Sequence, residues 1–433
     1  MRKRIFPGPV SSEILRKAEK FCATTTIGSQ ICVQQRRGPF VYDYDGFQFV
    51  DFHCDASVNN LGGNHPAIVK AMLSQIVTGN FFSEFNNAPN DPAVKLAELL
   101  AEKSPVGHPA KVYFGNSGAE ANEAALKLCQ AFRWERGERD RWDLIFFKNS
   151  FHGRTNGILR GTTSKPEVQS GPFLTPWDKE HTIYPPYPSK GVNSEYFKKY
   201  FASLDPTKIN ALFIELPCQG EGGIIPADTE MVQYVYEWTR KNGVLFIVDV
   251  IQCGMGRTGH LFGCDPAFWT TVKPDMATVG KALGGGLPIG AAIFRSDLDF
   301  EKTGMHSSTF GGGPMVMRAA LAAFGEIREL ILNGTVNLLE IQMRNALNAI
   351  ERKFPTLITE TRGIGAMWAH EFTSSETRDK VIEKCERLVE EEDCGVRLLG
   401  AGRKAIRFMP PLNIDRETLK LGFSLYEKVL STL

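Results

Sequence analysis

No apolar run in this 433-residue sequence approaches the roughly 20 residues that a membrane-spanning helix needs. The most apolar stretches, such as 243–250 and 290–294, are short and suit buried strands. An excess of charge is missing too. Fifty basic residues face 49 acidic ones, so nothing electrostatic points to nucleic acid or a membrane surface as partner. The first nine residues carry basic side chains but no apolar run behind them, which argues against a secretory leader. Cysteine is present without pattern: nine residues, at 22, 32, 54, 129, 218, 253, 264, 385 and 394, odd in number and never spaced as C-x-x-C. That excludes a disulfide framework and predicts a reducing, cytoplasmic setting. The eight histidines are isolated, with no ligand spacing, so no metal is expected. No G-x-x-x-x-G-K-[ST] occurs, and no glycine fingerprint opens on the first strand of the alternating region, which leaves nucleoside triphosphates and nicotinamide dinucleotides without a site. Repeats and low-complexity tracts are absent.

What remains is an ordinary globular composition, 42% apolar and 23% charged, long enough for one large or two moderate domains. Residues 41–52 read as two short strands around an Asp45-Gly46 turn. From about 65 to 330, short apolar runs (111–114, 144–147, 211–215, 244–248, 276–279, 291–294) alternate with helical patterns such as 119–132 and 230–240. This alternation predicts an α/β fold with a mostly parallel sheet covered by helices on both faces. Beyond 335 the pattern changes to amphipathic helices at 335–354 and 376–392, strands near 366–372 and 404–409, and a last helix capped by Asp415. The expected division is therefore an N-terminal segment 1–64, a large domain 65–330 and a small α+β domain 331–433, with the first packing on the last.

Three features carry chemistry. The run Val244-Leu-Phe-Ile-Val-Asp249 places a carboxylate at the carboxyl end of a buried strand, the edge where open α/β sheets bind ligands. A turn-capping aspartate is the plainer reading of that residue alone. The next strand ends in Gly280-Lys281, followed by a glycine run. A lysine there is costly to desolvate, and a lysine with lowered pKa can form a Schiff base with pyridoxal phosphate. A carboxylate paired to the pyridinium nitrogen is the matching requirement of that cofactor, and Asp249 supplies one. Finally, Phe114-Gly-Asn-Ser117-Gly118-Ala119 joins a strand to a helix through small residues, which suits a phosphate cradle as well as a simple N-cap.

The order of motifs makes the combination specific. Asp249-Val-Ile-Gln252-Cys-Gly-Met-Gly-Arg-Thr-Gly259, Lys-Pro-Asp275 and Gly280-Lys281-Ala closely resemble the signature of class III pyridoxal-phosphate aminotransferases. Phe151-His-Gly-Arg-Thr155, Gln219-Gly-Glu-Gly-Gly223, Ser308-Thr309-Phe-Gly-Gly and Arg407-Phe-Met-Pro-Pro-Leu412 extend the likeness over nearly the whole chain. The resemblance implies fold type I and a homodimer with active sites at the subunit interface. It implies that Lys281 holds pyridoxal 5'-phosphate and shuttles a proton, that Asp249 pairs with the ring nitrogen, and that Gln252 sits by the ring hydroxyl. Ser117, Gly118 and Ala119 would hold the phosphate, with Thr309 reaching across from the other subunit. Phe151 would stack on the ring, and His152 would lie beside the same pocket. Three positions depart from the family pattern: Val250 replaces a glutamate, Leu216 displaces Glu215 from the proline by one residue, and Gly313 stands where asparagine is common.

Arg154 is a natural bidentate partner for a substrate carboxylate. Arg407 lies in an apolar strand and needs a carboxylate of its own. In the 4-aminobutyrate and ornithine branches of the family, the matching arginine pairs with the glutamate that Glu221 matches, a switch that opens for an α-carboxylate. A permanent buried ion pair is the plainer reading. With Arg154, Glu221 and Arg407 together, the leading expectation is a 4-aminobutyrate-type aminotransferase using 2-oxoglutarate. Ornithine or acetylornithine as donor, or an amino-acid racemase on the same fold, stand as alternatives.

Overall fold

Buried on both faces, the strands Ile209–Glu215 and Leu245–Asp249 form the middle of a seven-stranded sheet. Its spatial order is Ala110–Gly115, Gly290–Arg295, Met276–Gly280, Leu245–Asp249, Ile209–Glu215, Asp143–Phe146 and Thr182–Ile183. Gly290–Arg295 runs antiparallel to both its neighbours, while the remaining pairings are parallel. The fold is thus fold type I, a mixed α/β architecture with a parallel-rich sheet. This computed structural model describes residues 4–24, 29–80 and 82–433, so the first three residues of the basic N-terminal stretch lie outside the described residues.

Alternate side chains of each central strand feed two cores. Leu144, Phe146, Ala211, Phe213, Leu245 and Ile247 meet Ala125, Leu128 and Cys129 of the helix Gly118–Glu135 on one face. Ile145, Leu212, Ile214, Phe246 and Val248 point the other way, into the cluster that holds Leu96, Val232 and Ala320 of the helices Asp91–Lys103, Thr229–Lys241 and Pro314–Leu332. Each large side chain so buried contributes about 1.5–3 kcal/mol, which is why runs of four or five apolar residues are placed here and not on an edge.

The C-terminal residues build a second, antiparallel sheet of Ile358–Ile364, Met367–Phe372, Ala405–Phe408 and Leu399–Ala401. The helices Thr335–Lys353, Ser375–Arg387 and Arg416–Leu430 cover it, and Asp415 caps the last by accepting from Thr418 N at 2.8 Å. A third sheet joins the chain ends: Val33–Arg37, Phe40–Asp43 and Gln48–Asp51 are antiparallel, and Cys394–Arg397 adds in parallel to Gln48–Asp51.

Three details differ from expectation. The hairpin turn is four residues long, not two: the strands stop at Asp43 and Gln48, and the Asp43 carboxylate accepts from Asp45 N and Phe47 N to close it. The helix expected over 376–392 ends its α form at Arg387 and tightens over Leu388–Glu390, because the acidic run Glu390–Asp393 opposes the negative end of the helix dipole. The strands Val33–Arg37 and Ile358–Ile364 had no clear signal, since their Gln, Arg, Thr and Glu side chains reach solvent. The segment Gly254-Met-Gly256-Arg-Thr-Gly259 does spell G-x-G-x-x-G, but it forms turns and opens no helix, so it lacks the dipole end a dinucleotide phosphate needs.

Arg257, in that segment, is fully buried and ties three parts of the chain together. Its guanidinium donates to Asn60 Oδ1 at 2.5 Å, to Ala366 O at 3.0 Å and to Pro410 O at 2.6 Å. Arg257→Met strands all three acceptors away from water, and a loss of roughly 3 kcal/mol or more is expected in urea unfolding.

Candidate active site

The carboxyl ends of the central strands meet a cavity of about 330 Å³. Gly118, Ala119, Phe151, His152, Arg154, Glu221, Asp249, Gln252 and Lys281 all line it, so nine of the expected residues converge from distant parts of the chain. Ser117 lies at its edge as N-cap of the helix Gly118–Glu135, its hydroxyl accepting from Glu120 N at 3.2 Å. Arg407 stands behind the wall, bound to Glu221. Thr309 is not brought in: it is exposed, on the loop before Phe310, and no part of this cavity.

Asp249 ends its strand almost fully buried, so its charge must be met by donors. Oδ2 accepts from His152 Nδ1 at 2.8 Å and from Asn122 Nδ2 at 2.8 Å, while Oδ1 accepts from Ile251 N at 3.0 Å. Asn122 is itself held, donating to His152 O at 2.7 Å and accepting from Thr278 Oγ1 at 2.8 Å. Neither Asn122 nor Thr278 was singled out from sequence. The available signal was weak: an asparagine one turn into an alanine-rich helix, and a lone hydroxyl on an apolar strand two residues before Gly280.

Lys281 follows the strand Met276–Gly280 with a φ of +48°, a left-handed conformation that costs a non-glycine residue about 1–2 kcal/mol. Strain of this kind collects where a side chain must be aimed. Close approach shapes the cradle as well. A Cβ at Gly290 would fall 1.8 Å from Ser117 O, so only glycine lets the neighbouring strand lie against the start of the helix. Gly118 and Ala119 place the unsatisfied N–H groups of that helix at the cavity wall.

A second carboxylate, Glu215, was noted only for its displacement. It ends the strand next to Asp249 and bridges two turns, accepting from Phe151 N at 2.9 Å and Gly220 N at 3.0 Å. Burial raises its pKa to about 7, with Asp249 adding to the rise and His152 and the two N–H groups opposing it. Glu221 goes the other way. Burial works against its charge, but Arg407, with Nη1 2.6 Å from Oε1, pulls its pKa down to about 2.

Above the cavity, Cys54, Asp55, Ala56 and Ser57 are four consecutive non-glycine residues with φ between +45° and +73°. The Asp51 carboxylate accepting from His53 N and Cys54 N holds this left-handed turn from below, and Arg36 and Arg397 hold Asp55 at 2.7 and 2.9 Å. Its Ala56 carbonyl meets Gln252 Nε2 at 3.5 Å. The sequence carries little sign of the turn, because of its four residues Asp55 alone belongs to a type that visits that conformation readily.

Pyridoxal phosphate fits the groups present. Gln252 Oε1, a buried acceptor on the cavity wall, has no hydrogen-bond partner among the described residues and suits a ring hydroxyl. Asp249 is an acceptor at the depth where a ring nitrogen would need one, and the helix start and Lys281 supply phosphate donors and an amine.

Known proteins point to the same chemistry. A family model described as aminotransferase class-III matches residues 23–430. The acetylornithine aminotransferase of Caldanaerobacter subterraneus subsp. tengcongensis is 33% identical over 417 residues, covering 96% of this chain and 98% of that protein. That of Methanocaldococcus jannaschii is 34% identical over 412 residues, covering 93% and 94%. Among solved structures, the ornithine aminotransferase of Toxoplasma gondii superposes with a TM-score of 0.84 at 26% identity, over 98% of this chain and 95% of that one.

The Glu215 proton is open to measurement. Since the folded chain keeps a proton that the unfolded chain releases near pH 4.5, stability is highest at low pH and falls as pH rises to about 7. In the cofactor-free protein the fall attributable to this group is about 3 kcal/mol. Urea unfolding at pH 5 and pH 8 should show it in the wild type and not in Glu215→Gln.

Proposed function

The chain belongs to the class-III aminotransferases, pyridoxal-phosphate-dependent enzymes, and we propose that its donor is ornithine or N-acetylornithine, with 2-oxoglutarate as acceptor. The observation that supports an ω-amino donor with a dicarboxylate acceptor is the Glu221–Arg407 pair at 2.6 Å beside a cavity lined by Arg154, and the choice among such donors rests on the relatives. 4-Aminobutyrate, the leading expectation from the same three residues, has no counterpart among the relatives described above, which are named for acetylornithine or ornithine. The two carboxylate sites serve those donors equally well, and the relatives favour them.

When bound, the cofactor supplies an electron sink for the carbon that carries the amine. The protein's part follows from its side chains. Lys281 holds the cofactor through its Nζ and moves a proton at the reacting carbon. Asp249, anchored by His152 and Asn122, keeps a proton on the ring nitrogen. Gln252 would accept from the ring hydroxyl, Phe151 would pack on the ring face, and Ser117, Gly118 and Ala119 would hold the phosphate, joined by Thr309 if a second subunit brings it in. Arg154, 5.7 Å from the Phe151 ring, takes the donor's carboxylate. Glu221 covers Arg407 while an ω-amine reacts, so that the guanidinium does not capture the donor in the wrong register. The pair then opens only for a ligand whose own α-carboxylate replaces Glu221, because Arg407 is 3% exposed and would otherwise be left charged and dry.

A homodimer supports the same site. The helix Pro66–Val77 exposes Val69, Leu73, Ile76 and Val77, and the exposed Phe82 and Phe310 pack at 5.1 Å beside Thr309. A contiguous apolar face of this kind marks an association surface. We divide the chain into 1–64, 65–330 and 331–433, and the separate cores on the large sheet and beneath the C-terminal sheet support treating the last two as distinct.

The visible spectrum of the holoenzyme should change on addition of ornithine or N-acetylornithine and return with 2-oxoglutarate as glutamate forms. A spectrum unmoved by both and moved by 4-aminobutyrate would overturn the donor assignment. Glu221→Ala should shift donor preference toward simple α-amino acids by on the order of tenfold in kcat/KM. Light scattering should give a dimer mass, and Leu73→Asp should lower both that mass and cofactor retention.

A further inference from the structure

Two thiols that the proposed chemistry does not use lie against each other at the cavity wall. Cys218 Sγ and Cys253 Sγ are 3.5 Å apart, and Cys253 Sγ also donates to Cys218 O at 3.1 Å. No other pair of cysteines makes such a contact among the described residues. Both are buried, Cys218 at 0% exposure and Cys253 at 1%, yet Cys253 follows Gln252 on the cavity lining and is reached from there. Cys218 sits behind it, with Met367 Sδ at 3.8 Å.

We propose that Cys218 and Cys253 are a modification site: a dithiol that a small hydroperoxide entering the cavity oxidises to a disulfide, distorting the catalytic wall. Cys253 reacts first, its sulfur attacking a peroxide oxygen. Its sulfur displaces water from the peroxide as the O–O bond breaks and an S–O bond forms. Cys218 sulfur then attacks, the S–S bond forms, and the second oxygen leaves as water. Two thiols and one hydrogen peroxide give one disulfide and two waters, the peroxide being the oxidant and the thiol sulfurs the electron donors.

The consequence follows from how tightly the two turns already meet. A disulfide needs its sulfurs about 2.05 Å apart, so the two sulfurs, now 3.5 Å apart, must close by more than an ångström through side-chain rotation and movement of the turns that carry them. There is no slack between them. An ideal Cβ at Gly220 would fall 1.4 Å from Gln252 Oε1, and Gln252 Nε2 lies 3.4 Å from Glu221 Oε1. Gln219 further pins the first turn, donating to Lys148 O at 2.8 Å and Ser150 Oγ at 2.9 Å. Any part of the closure that the backbone supplies is passed to Gln252, Glu221 or both, the groups assigned above to the cofactor hydroxyl and the arginine switch.

The test treats the holoenzyme with graded hydrogen peroxide, blocks remaining thiols, and maps peptides without reduction. The expected result is a peptide joining Cys218 to Cys253, lighter by two hydrogens than the reduced pair. A fall in kcat/KM on the order of tenfold to a hundredfold should accompany it, and dithiothreitol should reverse both. The cofactor's visible spectrum should shift with the cross-link before any substrate is added, a readout independent of which donor is correct. Cys218→Ala should leave basal activity intact, form no cross-link, and keep its substrate-free spectrum at the same dose. Free thiols at both positions when the exposed Cys22 is fully oxidised would overturn the proposal. So would a cross-link that leaves both spectrum and rate unchanged.

Discussion

A single buried carboxylate organises the site. Asp249 ends an apolar strand where water cannot solvate it, so the surrounding chain must bring donors to it. Asn122 comes from the helix that covers one face of the sheet, His152 from the loop after Asp143–Phe146, and Ile251 N from the turn that follows the carboxylate itself. Each donor carries a neighbour into the cavity with it. Asn122 locks the helix whose first residues are Gly118 and Ala119, His152 drags Phe151, and the turn after Asp249 presents Gln252. Removing the charge would therefore loosen the cradle, the stacking face and the hydroxyl acceptor together.

The same physics runs in opposite directions at the two nearby glutamates. Glu215 and Glu221 lie six residues apart in sequence, the first buried and the second half-buried on the cavity wall. At Glu215 burial outweighs His152 and two backbone N–H groups, and Asp249 adds its repulsion, so a proton is retained to about pH 7. Glu221 meets a guanidinium and stays ionised to about pH 2. Ion pairing at Glu221 makes it a group that another carboxylate can displace, while the two bridging hydrogen bonds make Glu215 a clamp between the Phe151 loop and the turn of Gly220. One segment thus supplies a fixed element and an exchangeable one.

Much of the fold was legible because it follows from local periodicity. Central strands needed apolar residues on both faces, and the helices Gly118–Glu135 and Thr229–Lys241 kept a 3.6-residue stripe, so both appear in the residue pattern. Edge strands such as Val33–Arg37 escaped because a side chain half in water carries no strong preference. At the site, residues chosen for reactivity were visible: a lysine or arginine in apolar surroundings is expensive enough to demand a purpose. Residues that act by holding others were not. Asn122 and Thr278 are uncharged and cheap to bury in many settings, and nothing in their neighbours says that they meet Asp249.

By itself, then, the sequence determined the α/β class, the parallel-rich sheet, the class III chemistry and most of the residues that line the cavity. Those depend on composition at each position and on short spacings along the chain. Only the tertiary structure decided how Glu215 is protonated. It also decided that Cys54–Ser57 turn left-handed, that Arg257 joins three segments, and that Cys218 and Cys253 touch. Each of these is a property of distance between residues far apart in the chain, and burial and charge interact through space, where sequence order has no say.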